Sequence, residues 1–146
     1  MTLDHQATLT HEAKAEIVEL VYRYATSLDQ RDFDMFRSIW TDDVRAEYDD
    51  VGSWEGLDAF AAFMEKIHAR CGASLHRVTN PVVWEEGGRV RARSYVDAIV
   101  VVNDTDAMRA IGTYEDEVVP VDGSWRIAHR HFTHLFMQVS PVADAV

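Results

Sequence analysis

Hydrophobic residues in the first half of the chain recur at intervals of three and four, the period of an amphipathic α-helix. The clearest stripe follows Thr10, a residue type that caps helix N-termini, and consists of Ile17, Leu20, Val21, Tyr24 and Leu28. Asp32 introduces a second, short pattern of Phe33, Phe36, Ile39 and Trp40. A third pattern lies between Gly56 and Gly72 and consists of Leu57, Phe60, Phe63, Met64 and Ile67. These patterns predict three helices.

Beyond Gly72 the hydrophobic period changes to two, which is typical of β-strands with one buried face. Four long strands are predicted, over residues 74–84, 89–102, 107–119 and 124–136. Tight turns at residues 85–88 and 122–123 join the first two and the last two of them. A shorter strand over residues 44–48 precedes the third helix. This order predicts an α+β fold with three N-terminal helices packed on a curved, mainly antiparallel sheet.

No repeat, low-complexity tract or linker divides the 146 residues, and this length is sufficient for one hydrophobic core. We therefore predict a single domain over residues 10–140. Residues 1–9 are interpreted as a loose N-terminal arm, and residues 141–146 as a C-terminal tail.

The composition, with 47% hydrophobic and 27% charged residues, is that of an ordinary globular protein. A formal net charge of −11 argues against nucleic acid as a partner, because phosphate binding requires clustered lysine and arginine. Cys71 is the single cysteine, so an intrachain disulfide is excluded. The N-terminus lacks the features of a signal peptide, and the longest apolar run, residues 98–102, is too short to span a bilayer. We expect a cytoplasmic protein that binds neither nucleic acid nor membranes.

Asp29 occupies an unfavourable position for an acid. It lies in the last turn of the first predicted helix, where the helix dipole disfavours a carboxylate by roughly 0.3–1 kcal/mol. Strand parity directs His76 toward the helices, so its imidazole N–H is a candidate partner for Asp29. Alternatively, Asp29 pairs with Arg31 or caps the next helix. His76 is likewise either a structural histidine with one hydrogen bond or half of a functional pair.

Six segments carry a resemblance to a known family: YATSLDQRDFDMF, SIWTDD, VRAEYDDVGSWEG, LHRVTNPV, IGTYEDE and DGSWRI. Together with the order of elements, they resemble the cone-shaped SnoaL-like group of the nuclear-transport-factor-2-like (NTF2-like) superfamily, over about residues 12–136. The similarity is greatest to the branch that holds scytalone dehydratase, bile-acid 7α-dehydratase and hexachlorocyclohexane dehydrochlorinase. This fold hosts many chemistries and also non-catalytic members, so the resemblance alone does not assign an activity.

The resemblance implies a set of site residues. In those lyases an aspartate at the end of the first helix pairs with a histidine on the first long strand, and Asp29 and His76 occupy these positions. Tyr48 matches a pocket tyrosine and is assigned to the catalytic group. The implied substrate-binding residues are Tyr24, Tyr114, His134 and Trp40, although each tyrosine is equally compatible with core packing and Trp40 with a place in the core. The second ionisable residue of the dehydratases has no match, because Ala98 lies near its position and Asp97 one residue away.

The leading hypothesis is a lyase or isomerase that needs no cofactor. His76 removes a proton beside a carbonyl or a leaving group of a small cyclic or polyketide-like molecule, and Asp29 orients the imidazole. The alternative is a non-catalytic protein that binds such a molecule. A metal enzyme using HRHFTH, residues 129–134, is a third hypothesis. No metal is predicted, because strand parity separates His129 and His131 from His134.

The outward face of the second long strand predicts an oligomer. Tyr95, Ile99 and Val101 share this face with Arg91 and Arg93. A curved sheet with such residues exposes more apolar surface than monomers usually do, so we expect a homotrimer or a homodimer.

Overall fold

The computed structural model of the protein describes residues 9–142. Its elements in chain order are α1 His11–Gln30, α2 Phe33–Ser38, β1 Trp40–Tyr48, β2 Gly52–Glu55, α3 Leu57–Ala69, β3 Ser74–Glu86, β4 Arg89–Val101, β5 Asp106–Val121 and β6 Ser124–Pro141. The predicted arm lies outside the described residues except for Leu9, and the predicted tail does so from residue 143 onward. None of the described helices is long and apolar enough to cross a lipid bilayer.

The six strands form one curved sheet in the order β2-β1-β6-β5-β4-β3. Only the β1–β6 pair is parallel among the strands described, and the other neighbours are antiparallel. Helix α1 packs mainly on β3, and α3 packs on β1 and β2. The predicted α+β class is therefore confirmed. The prediction of three N-terminal helices is met only in part, because β1 and β2 separate α3 from the other two.

Helix α1 has the boundaries that its sequence predicts. Thr10 Oγ accepts a hydrogen bond from the backbone N–H of Ala13 at 3.0 Å, which satisfies one of the free donors of the first turn. The helix ends where Arg31 adopts a left-handed conformation with φ of 58°. The N–H of Arg31 then returns to the carbonyl groups of Leu28 and Ser27. Asp29 lies just before this reversal, at the end of α1 that faces β3.

Two local predictions differ from the structure. Trp40 begins β1 and is not part of α2, because Ile39 caps α2 and the chain then pairs with Ile127 of β6. The hydroxyl of Ser38 donates a hydrogen bond to the carbonyl of Met35 at 2.7 Å, which helps to close α2. Strand β2 was not predicted; it is four residues long and its side chains alternate between partly exposed and exposed.

The hydrophobic core lies between the helices and the inner face of the sheet, which we define as the face toward the helices. Along β4 the even-numbered residues from 90 to 100 are buried and face inward, as predicted from parity. The core also contains an ion pair, since Arg130 of β6 is 0% exposed. Its Nε and Nη2 donate to the two carboxylate oxygens of Asp116 at 2.7 and 2.8 Å. Burial acts to lower the pKa of Arg130, but the Asp116 carboxylate outweighs burial and holds this pKa above its ordinary value.

Candidate functional site

Asp29 accepts three hydrogen bonds from β3. The backbone N–H of His76 donates to Oδ2 at 2.8 Å, and His76 Nδ1 and Ser74 Oγ donate to Oδ1 at 2.6 and 2.8 Å. Burial acts to raise the pKa of Asp29, but the hydrogen bonds from His76 and Ser74 and the nearby imidazole outweigh burial and lower it. The predicted contact between Asp29 and His76 is confirmed. Its catalytic role stays a prediction.

This contact determines the tautomer of His76. A carboxylate at low pKa can only accept, so Nδ1 carries the proton, and in the neutral ring Nε2 then carries a lone pair. The side chain of His76 is 9% exposed and lines a cavity on the inner face. Within residues 9–142, Nε2 has no hydrogen-bond partner. A basic nitrogen is therefore held at the cavity wall with its lone pair available.

Arg31 connects the end of α1 to the start of β3. Its Nη1 donates to the carbonyl of Leu28 at 2.5 Å and to Ser74 Oγ at 2.9 Å, and Nη2 donates to the carbonyl of Gly72. Because Ser74 in turn donates to Asp29, the guanidinium supports the carboxylate through one hydroxyl. Arg31 therefore makes no direct ion pair with Asp29 among the contacts of residues 9–142; it binds the last turn of α1 and the strand opposite.

The cavity has a volume of about 240 Å³ and is lined mainly by apolar side chains from α1, α3 and five of the strands. Three tyrosines, Tyr24, Tyr48 and Tyr114, also line it. The hydroxyls of Tyr24 and Tyr48 are hydrogen-bonded to each other at 2.8 Å. Burial, reinforced by the neighbouring tyrosines, raises the pKa of both Tyr48 and Tyr114 well above the ordinary value. These hydroxyls stay protonated at neutral pH, so they can donate hydrogen bonds to a ligand.

His68 is a cavity residue that the sequence analysis missed. It lies on α3, is 7% exposed, and its ring centre is 6.0 Å from that of His76. Its Nδ1 is bonded to the carbonyl of Met64 at 2.7 Å. A carbonyl can only accept, so Nδ1 carries the proton and Nε2 carries the lone pair in the neutral ring. Burial lowers the pKa of His68, which favours that neutral form.

A profile of the SnoaL-like domain matches residues 10–131, which is most of the chain. The chain belongs to the SnoaL-like domain family. The family assignment agrees with the fold, in which helices cover one face of a curved sheet and enclose an apolar cavity.

Three solved structures share this SnoaL-like fold. A provisionally named aromatic ring hydroxylase of Novosphingobium aromaticivorans has a TM-score of 0.81 and 24% identity, with 94% of this chain and 98% of that chain covered. A provisionally named scytalone dehydratase of the same species has a TM-score of 0.78 and 22% identity, with 85% of each chain covered. The hexachlorocyclohexane dehydrochlorinase LinA-type3 of Novosphingobium barchaimii has a TM-score of 0.77 and 19% identity, with 90% and 91% covered. At such identities the similarity shows the fold.

Two predicted substrate-binding residues of this SnoaL-like chain are not among the side chains that line the cavity. Trp40 is fully buried in the core, where its ring packs against Tyr24, Phe36 and Phe60. Its position at the start of β1, and not on a helix face, sets the direction of its side chain. His134 approaches Asp50 in the turn after β1, with Nε2 at 3.4 Å from Oδ2. The substrate-binding roles of Trp40 and His134 stay predictions.

The histidines of HRHFTH pair with acids of β1 or of the turn that follows it. His129 Nε2 lies 2.8 Å from Glu47 Oε2, and His131 Nε2 lies 2.8 Å from Asp49 Oδ1. Each histidine thus has its own acid across the parallel strand pair. In the part of the chain that the structure describes, no group of three or more His, Cys, Asp or Glu side chains could hold a metal ion.

Proposed function

We propose that this SnoaL-like protein is a lyase of the dehydratase or dehydrohalogenase type, which acts without a cofactor on a small cyclic molecule in the inner-face cavity. The observation that carries the proposal is the position of His76. Its Nδ1–H is bound to Asp29, and the lone pair of Nε2 is available at the wall of an apolar cavity of about 240 Å³. An engineered apolar cavity of about 150 Å³ holds benzene, so a substituted ring is of suitable size.

In the proposed reaction, His76 Nε2 accepts a proton from a carbon of the substrate. The electron pair of the broken C–H bond forms the new double bond, and the leaving group departs from the neighbouring carbon as hydroxide or halide. Asp29 stabilises the imidazolium that forms and keeps the ring in the required tautomer. In a dehydration, the imidazolium returns its proton to the departing oxygen, so that water leaves. In a dehydrohalogenation, the halide leaves as the anion and the imidazolium transfers its proton to a solvent water molecule. Both routes restore neutral His76.

The tyrosines support the electrophilic side of this reaction. Tyr24 and Tyr48 share one hydrogen bond between their hydroxyls, so the pair retains a second O–H that can donate to a ligand. Since burial keeps the pKa of Tyr48 high, this group stabilises a carbonyl or leaving oxygen by hydrogen bonding and not by giving up its proton. Tyr114 lines the same wall and packs edge-on against Tyr24 at 5.5 Å between ring centres.

The alternative proposal is a binding protein that does not turn its ligand over. It is favoured by the residue opposite His76 in the β3–β4 pair, which is Ala98. The dehydratases that the sequence resembles carry a second ionisable group near this position. Without an ionisable group at position 98, the β4 side of the cavity offers no proton donor or acceptor opposite His76, which leaves affinity for the ligand but reduces the capacity for proton transfer.

The test uses two probes, γ-hexachlorocyclohexane and 3-hydroxycyclohexanone, followed by chloride release and by the ultraviolet absorbance of the enone product. We expect turnover of at least one probe by the wild type. His76→Ala should lower kcat/KM by about 10²- to 10⁴-fold, because it removes the proton acceptor. Asp29→Asn should lower kcat strongly and leave KM nearly unchanged, because it acts through the imidazole.

His131→Ala provides a matched control, since it removes a histidine–carboxylate contact of 2.8 Å outside the cavity lining. It should retain wild-type kcat/KM, and thermal melts should show all three variants folded. Wild-type kcat/KM in His76→Ala would refute the mechanism. Binding of both probes without turnover of either would favour the binding protein.

A further inference from the structure

His68 and His76 line the same cavity from different elements. His68 lies on α3 and His76 on β3, with their ring centres 6.0 Å apart and their planes inclined by 42°. Each ring uses Nδ1 to donate to a fixed acceptor, the carbonyl of Met64 for His68 and the carboxylate of Asp29 for His76. In the proposed reaction, His76 Nε2 removes the proton. His68 Nε2 has no role in that reaction.

We propose that His68 Nε2 accepts a hydrogen bond from a hydroxyl of the substrate and makes the cavity selective for ring compounds that carry one. This inference rests on the proposed function only in taking the cavity as the substrate site. His68 is thus a specificity-determining residue. It holds the hydroxyl end of the ligand while a carbon of the same ring faces His76.

The surroundings of His68 keep its ring neutral. Burial disfavours the imidazolium of His68 and is the main cause of its lowered pKa, and the His76 ring of β3 and the charged Arg31 after α1 act in the same direction. The hydrogen bond to the Met64 carbonyl and the Asp29 carboxylate act in the opposite direction, and burial outweighs them. On the α2 side the neighbour is the ring of Phe33, at 6.5 Å between ring centres, which offers no hydrogen bond. A neutral ring with Nδ1–H fixed leaves Nε2 as an acceptor only.

An acceptor in an apolar cavity discriminates strongly between ligands. A ligand without a donor leaves the Nε2 lone pair desolvated, whereas a hydroxyl satisfies it. A site built in this way rejects analogues that lack the hydroxyl more effectively than a purely apolar pocket rejects a ligand of a different size. The tyrosines that line the same cavity offer O–H donors, so they suit a carbonyl or leaving oxygen, whereas His68 Nε2 suits a hydroxyl hydrogen.

The test compares p-cresol with p-xylene, which has nearly the same shape but no donor. Titration with each probe is followed by the imidazole ¹⁵N signals of the full-length protein, so turnover is not required. We expect p-cresol to bind roughly five- to tenfold more tightly than p-xylene, as one hydrogen bond allows. We also expect the Nε2 signal of His68 to move with p-cresol and to remain in place with p-xylene.

Two variants distinguish the donor role of His68 Nδ1 from the acceptor role of His68 Nε2. Asn places an amide near Nδ1, so His68→Asn retains a donor for the Met64 carbonyl and removes the acceptor at Nε2. Gln reaches the position of Nε2, so His68→Gln restores an acceptor there. The preference for p-cresol should fall at least about threefold in His68→Asn and return in part in His68→Gln.

An unchanged preference in His68→Asn would overturn the proposal, as would a shift of His76 Nε2 with none at His68. A wild-type protein that binds neither probe would overturn it too. These outcomes are independent of the elimination assay, because loss of turnover in His76→Ala leaves the binding preference at His68 intact.

Discussion

At the scale of single residues, Asp29 is destabilised by its position at the end of α1 and stabilised by hydrogen bonds from β3. The dipole of α1 disfavours a carboxylate in its last turn by roughly 0.3–1 kcal/mol. Hydrogen bonds to a charged group contribute about 1.5–3 kcal/mol each, and Asp29 accepts three from Ser74 and His76. The contacts outweigh the dipole. These contacts form only in the folded chain, where β3 lies beside the end of α1.

Because His68 is buried with a lowered pKa, the free energy of unfolding should depend on pH. Burial lowers its pKa in the folded state, whereas the unfolded chain has the ordinary value of about 6.5. Between these two values the unfolded chain binds a proton that the folded chain does not, so stability falls as the pH drops below about 6.5. Above about pH 6.5, His68 is neutral in both the folded and the unfolded chain, so its titration no longer changes the free energy of unfolding. His68→Asn should consequently lose less melting temperature between pH 8 and pH 5 than the wild type does.

Melts of both proteins in one buffer series would measure this difference. The other histidines are common to the two proteins, and the two curves should run parallel between pH 8 and pH 9. The lowered pKa of Asp29 contributes stability that is lost only below about pH 3.9, outside this range. Equal losses of melting temperature from pH 8 to pH 5 would contradict a neutral, buried His68.

The sequence predicted part of the candidate site. Asp29 and His76 could be paired because each breaks a local expectation, an acid at a helix C-terminus and a histidine on an apolar strand face. His68 was missed, although it continues the buried stripe of α3 four residues after Met64. The sequence analysis assigned Ile67 to that stripe instead, and Ile67 is 40% exposed. Successive residues of a helix point in directions about 100° apart, so a short pattern that contains adjacent apolar residues does not determine which of them faces the core.

At the scale of elements, β5 and β6 approach each other closely at Gly112. A Cβ added to Gly112 would lie 2.2 Å from the carbonyl oxygen of Thr133 and 2.9 Å from Cα of His134. Both are backbone atoms of β6, and Gly112 comes directly after the register shift between Ile111 and Gly112 in the β5–β6 pair. Glycine is required here by the space between strands, and the irregular pairing increases the local bend.

Gly112→Ala should therefore be strongly destabilising, by more than about 3 kcal/mol in urea unfolding, because backbone atoms cannot move aside as a side chain can. Gly87→Ala is the matched control. It lies in the exposed β3–β4 turn with φ of 60° and nothing within 4 Å of the added Cβ, so only the left-handed backbone costs about 1–2 kcal/mol. If the two variants lose the same free energy of unfolding, the steric explanation is wrong.

The elements themselves were largely predictable, and the irregular ones were not. Long strands such as β4 alternate over their whole length, so parity identifies both faces. Trp40 was assigned to α2 because its spacing from Phe36 also fits a helix, and only pairing with β6 reveals the strand. Strand β2 is too short to show a period. Register shifts, as in the β5–β6 pair, depend on the partner strand, and a single glycine such as Gly112 marks where one can occur without specifying it.

At the scale of the whole molecule, the outer face of the sheet carries exposed apolar side chains, and no element within residues 9–142 covers them. Leu135 is 85% exposed and Tyr95 is 51% exposed. They line a shallow groove across β3–β6 together with Thr79, Ile111 and Thr113. Ion pairs such as Arg93 with Glu115 surround it. An apolar centre with a charged border is typical of an interface between protein surfaces.

We predict that this face joins copies of the chain in a homodimer or homotrimer, measured by sedimentation velocity at micromolar concentration. Tyr95→Asp should shift the protein to monomer, because it introduces a charge into the apolar centre. Tyr22→Asp is the control, since Tyr22 is 42% exposed on α1, away from the outer face. A monomeric wild type, or dissociation in both variants, would contradict the prediction.

Because Ala98 lies opposite His76, a single substitution at position 98 would be enough to change the chemistry of the cavity. Directly opposite residues on neighbouring strands have Cβ atoms about 4.5–5.5 Å apart, so an acid at position 98 would reach the imidazole. Every alanine codon differs by a single base from a codon for aspartate or glutamate. One point mutation in the gene could thus introduce a second ionisable group beside His76, and selection could equally have removed one. Genes of close relatives should record both directions of this exchange, with the backbone register unchanged.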